Sequence, residues 1–82
     1  MRKFRLIKNN EVFVLLANGS YVKTPNPEIY QKLEAECMKD LARPDAYLFQ
    51  DVRYEFAEND LPFLHFILGQ SLAGSGFEIK EV

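Results

Sequence analysis

Every residue from Val12 to Ala17 is apolar, and turn signals bracket the run: Asn9-Asn10 before it and Asn18-Gly19 after it. Apolar runs of this length between turns read as strands. Successive side chains of a strand point to opposite faces, so this strand is greasy on both. One face can pack on the core of a small domain. The other needs a cover, and that requirement constrains the chain more than any other feature.

The turns set the expected pairing. Asn-Gly suits a two-residue type I′ hairpin loop, and Asn-Asn is a weaker form of the same signal. Residues 1–23 then read as a three-stranded antiparallel meander. Lys8 faces Glu11, Ile7 faces Val12, Leu6 faces Phe13 and Phe4 faces Leu15. Across the second turn, Ala17 faces Ser20, Leu16 faces Tyr21 and Leu15 faces Val22. One face of this sheet carries Phe4, Leu6, Phe13, Leu15, Ala17 and Val22. The other carries Lys3, Arg5, Ile7, Val12, Val14, Leu16, Tyr21 and Lys23, apolar in the middle and basic at its margin.

Asn26 is placed to cap a helix that has Pro27 at its first position. Ile29, Leu33, Cys37 and Leu41 recur every four residues as its apolar stripe, and Pro44 ends it. Residues 47–58 read as a strand with one wet side, because Val52, Tyr54 and Phe56 alternate with Asp51, Arg53 and Glu55. Residues 61–73 are apolar on both sides as a strand. As a helix they gather Leu61, Phe63, Leu64, Ile67, Leu68, Ser71 and Leu72 on one half, with Phe66 misplaced. Helix is the reading adopted, and a hairpin with the preceding strand is its rival. Asp60 is placed to cap that helix, Gly74 or Gly76 to end it, and Phe77–Val82 closes the chain as a short strand. The predicted order is βββ-α-β-α-β: one α+β domain over residues 1–82, with helices packed on the sheet.

Composition limits the function classes. Hydrophobic residues make up 48% and charged residues 27%, which argues for a folded domain. The single cysteine allows no internal disulfide, no apolar run approaches a membrane span, and the start has no signal-peptide core. A cytoplasmic protein with no membrane contact is expected. The net charge of −2 does not suggest a general nucleic-acid binder.

Catalytic chemistry finds little support. Cys37 and His65 are the one thiol and the one imidazole, and no spacing brings them together. Cys37 reads as a core thiol, and no zinc-ligand spacing is present. Asp45, Asp51, Glu55, Glu58 and Asp60 read as a solvated acidic face. "GQSLAGSG" lacks the lysine and the strand-to-helix setting of a phosphate loop. No enzyme activity, cofactor or metal is expected. The basic residues Arg2, Lys3, Arg5, Lys8 and Lys23 cluster early and the acids later, which suggests that the two neutralise each other across the sheet.

The sequence therefore points to a small protein–protein interaction module: a regulator, an inhibitor or a subunit. Its contact surface would be the second sheet face, Arg5, Ile7, Val12, Val14, Leu16, Tyr21 and Lys23, used for another protein or for a homodimer. The alternative is nucleic-acid binding through the basic N-terminal hairpin.

Overall fold

Lys3–Lys8 forms β1 and Glu11–Leu15 forms β2, joined at Asn9-Asn10 with the expected pairs Ile7–Val12 and Lys8–Glu11. Asn9 alone takes the left-handed conformation there, φ 52°. The computed structural model describes Met1–Val82. Beyond Ile7 and Val12 the two strands part, so Leu6–Phe13 and Phe4–Leu15 do not pair.

The second turn departs by one residue. Tyr21–Thr24 forms β3, with pairs Leu15–Tyr21, Val14–Val22, Phe13–Lys23 and Val12–Thr24. The Gly19 N–H donates to the Leu16 carbonyl, the Leu16 N–H donates to Ser20, and Gly19 is left-handed at φ 86°. This is a three-residue loop, a type I turn followed by a left-handed glycine. Because strand side chains alternate, the extra residue flips β3. Val22 joins Val12 and Val14, whereas Tyr21 and Lys23 pass to the face of Phe13.

Glu28–Lys39 forms α1, ending before the expected Pro44, and Asn26 provides no side-chain cap. Ala46–Phe49 forms a short helix, α2, where a strand was expected. The chain then enters the fork between the parted strands. Arg53 exchanges backbone hydrogen bonds with Leu15, and Phe56–Ala57 forms β4 against Lys3 and Phe4. Strict alternation breaks at a bend over Tyr54 and Glu55, which sends Tyr54 to one side of the sheet and Phe56 to the other.

A 3₁₀ turn at Glu58–Asp60 leads into α3, Leu61–Gly69, the helix expected from the apolar wheel. Asp60 does not cap α3; its carboxylate accepts the Ala57 N–H. Glu78–Glu81 forms β5 along β1. Phe4 pairs with both Glu81 and Phe56, and Ile7 with both Glu78 and Val12. So β5 runs along one edge of β1, while β2 and β4 share the other edge in succession. The result is a small α+β domain with a five-stranded antiparallel sheet.

Helices cover both faces. Under α3 lies the larger core, where Phe4, Leu6, Phe13 and Phe56 meet Leu64 and Ile67. On the reverse, Val12, Val14, Leu16 and Tyr54 are packed by Tyr30 of α1 and Phe49 of α2. No helix is long and apolar enough to cross a membrane.

Candidate interaction surface

The seven residues predicted to form one contact face do not do so. Val12, Val14 and Leu16 are buried beneath α1 and α2, Val14 with no exposure at all. Their own chain covers them, so they are not available to a partner. Tyr21 and Lys23 lie on the opposite face because of the shifted register. Ile7 is half-buried near β5 and borders a polar hollow with Lys8, Asn9, Gly76, Glu78 and Lys80.

Arg5 is committed to an internal network. Its guanidinium donates to Glu55 and lies 5.2 Å from the centre of the Tyr54 ring, while its buried Nε has no acceptor. Lys3 also pairs with Glu55, at 3.6 Å. The hydrogen bond from Arg5 holds the Glu55 carboxyl below its ordinary range, against the opposing effect of desolvation. A carboxyl whose pKa falls on folding stabilises the fold above its unfolded value, about 4.3. That stabilisation is lost as pH falls through the lower folded value. Glu55→Gln should cost about 0.5–1 kcal/mol at neutral pH, the worth of a partly exposed ion pair. The difference from wild type should shrink as pH falls below about 4. Urea titrations at the two pH values measure it, and a pH-independent difference would contradict this role for the pair.

Of the other early cations Arg2 is paired as well, whereas Lys8 and Lys23 have no carboxylate partner. Arg2 bridges Glu58 and Glu81, both at 3.1 Å. Among the later carboxylates, Asp51 pairs with Arg53, and Asp45 takes Arg43. The neutralisation expected from the charge layout thus runs through Glu55, Glu58 and Glu81.

Cys37 is fully buried in the seam of α1 and α2, with its sulfur 3.8 Å from Asp45 Oδ1. Burial first, and the Asp45 charge second, push its thiol up and keep it protonated. His65 is exposed on α3, across the sheet from α1, so the thiol and the imidazole do not meet. Gly74 and Gly76 are left-handed residues in the connection from α3 to β5, not a phosphate cradle before a helix.

Large apolar side chains stand open on both sides: Ile29, Met38, Leu41 and Tyr47 around α1 and α2, and Phe63 and Phe66 on α3, where they border a cleft. Leu64 and Ile67 of α3 point into the core, which leaves Phe63 at 43% and Phe66 at 64% exposure. Tyr21, brought to this face by the three-residue loop, stacks on Phe13 with ring centres 5.0 Å apart. Between helix and hairpin runs a cleft of about 240 Å³ lined by Phe13, Leu15, Gly19, Tyr21, Phe63, Phe66, Ile67 and Ser71. Its lining is chiefly apolar, and it holds no acid–base pair. Such a cleft can take an apolar side chain or a ring.

Sequence reasoning missed this place. Phe66, the one large apolar residue that falls on the otherwise polar half of the helical wheel, is the available signal. Tyr21 is expected in the contact surface, but the expected register assigns it to the wrong face. In comparisons with known proteins, no protein family, no curated protein and no solved structure matches the chain.

Proposed function

We propose that the chain is a protein-binding module, a regulator, inhibitor or subunit, that works through the cleft between α3 and the β2–β3 hairpin. One observation carries this reading: three exposed aromatic rings, Tyr21, Phe63 and Phe66, converge on an apolar cleft. Exposed aromatics around an apolar hollow typify contact surfaces, because a ring buries much area with little loss of conformational entropy. The nucleic-acid alternative has less to stand on, since Arg2, Lys3 and Arg5 are already engaged by carboxylates.

The test is photocrosslinking. Phe66 is replaced by p-benzoylphenylalanine, and in a matched control so is exposed Lys39 at the end of α1. The full chain is irradiated both purified and concentrated, and in the extract of its expressing cells. The reading requires polypeptide adducts of discrete mass at position 66 and not at position 39. No adduct at position 66, or equal adducts at both, would overturn it.

A further inference from the structure

Resting on the protein-binding reading, we infer that the occupant of this surface is a second copy of the chain, joined edge to edge through β3. The two sheet edges are unlike. The β5 edge, Glu78–Glu81, reads Glu-Ile-Lys-Glu, and charge on an edge strand discourages further pairing. The β3 edge, Tyr21–Thr24, reads Tyr-Val-Lys-Thr and has only Lys23 to guard it. It contains no proline, and no strand pairs with it other than β2.

The hydrogen bonding fixes which groups on that edge are open. The Leu16 N–H donates to Ser20, so the pairs Leu16–Ser20, Val14–Val22 and Val12–Thr24 are the bonded ones. Antiparallel ladders alternate, so the N–H and C=O of Tyr21 and Lys23 point away from β2. Leu15 agrees with this, for its backbone turns the other way, to Arg53. These outward groups form a template for one more strand.

The edge is self-complementary. An antiparallel β3–β3 pairing centred on Val22 sets Tyr21 against the partner's Lys23 and Lys23 against the partner's Tyr21, and satisfies all the outward groups. No like charges oppose one another. Lys23 has no carboxylate within ion-pairing distance in its own chain, and here it lies beside the partner's Tyr21, whose ring face attracts a cation. Shifting the register by one pair towards Thr24 would set lysine against lysine.

The symmetry axis of such a seam stands perpendicular to the sheet, so matching faces lie on the same side. The α3 helices of both copies then flank the seam on one side. Tyr21 and Gly19 line the cleft from the edge strand and its turn, and Phe63 and Phe66 line it from α3. The two clefts adjoin over the seam, and the exposed rings of each copy gain cover that a lone chain lacks.

Light scattering on the full chain over a dilution series should give twice the 9.5 kDa of the chain when concentrated and a falling mass on dilution. Lys23→Pro removes an N–H that only the seam uses, so it should give a folded monomer that melts where the dilute, dissociated wild type does. In a Cys37→Ser background, Val22→Cys lies on the axis, where facing Cα atoms are about 4.5 Å apart, and should form a covalent dimer on oxidation. A monomer at every concentration, or a dimer that persists in folded Lys23→Pro, would overturn the pairing. Photocrosslinking of a different polypeptide at position 66 by a monomeric chain would sink the self-pairing alone and leave the binding reading standing.

Discussion

Phe56→Ala should lower stability by about 3–5 kcal/mol, the usual cost of truncating a fully buried phenylalanine. At about 0.05–0.15 kcal/mol per residue, an 82-residue domain holds roughly 4–12 kcal/mol in all. The variant is therefore expected to lose about a quarter of that stability or more. Phe56 is 2% exposed and stands opposite Phe4 in a pairing of only two residues. So short a strand has few backbone bonds, and its side chain must hold it in the fork between β1 and β2. Losing the ring empties the space between Phe4, Leu6 and Leu64 and loosens the wedge that keeps the fork filled. In urea, with a slope of about 1 kcal/mol per molar, the midpoint should fall by roughly 3 M or more. Phe63→Ala provides the contrast. At 43% exposure it should shift the midpoint by far less. Equal midpoints for Phe56→Ala and wild type would mean that the wedge does not hold the sheet together.

The sequence reveals the elements of this fold better than their register. The first turn was legible because Lys8 and Glu11 have opposite charges and Asn tolerates the left-handed conformation Asn9 adopts. The second was not. Asn18-Gly19 serves a two-residue loop with both residues left-handed, or a three-residue loop in which Gly19 alone is. Face alternation normally settles such a choice, but Val12–Ala17 is apolar at every position and fits either register equally well. The slip moved Tyr21 and Lys23 to the other face, and with them the candidate site.

The helices show a related limit. Residues spaced by four drift about 40° per step on a helix of 3.6 residues per turn. Ile29 and Leu41 thus point about 120° apart, and with α1 ending at Lys39 both are exposed while Cys37 between them is buried. The stripe predicted a helix correctly and its buried face only in part. The strand expected around Tyr54 forms only in part, as a bridge at Arg53 and the short β4, and for another reason. Its alternation is real, but the segment serves two cores, and the bend at Tyr54–Glu55 that lets it do so leaves no mark in an alternating pattern.

Val14→Glu distinguishes an open from a covered second face more sharply than any other substitution. On an exposed sheet face a glutamate in place of valine would cost a few tenths of a kcal/mol. Val14 instead has no exposure and lies among Val12, Leu16 and Tyr54 beneath Tyr30 and Phe49. Arg5, the cation that borders this cluster at the Tyr54 ring, is already engaged by Glu55. A carboxyl buried there should titrate well above its ordinary value, since desolvation penalises the charged form. Its folded pKa being raised, the unfolded chain loses its proton first as pH climbs past about 4.3. The penalty then grows by about 1.4 kcal/mol per pH unit until the folded value is reached. Added to the steric cost of the longer side chain, this should leave Val14→Glu unfolded at neutral pH and partly recovered near pH 4. Phe66→Glu, on the exposed side of α3, should stay folded at both. Circular dichroism of the two variants at pH 7 and pH 4 makes the comparison. A Val14→Glu protein as stable as wild type at pH 7 would mean that α1 and α2 do not close over the sheet, and the apolar strand between the two asparagine turns would again lack a cover.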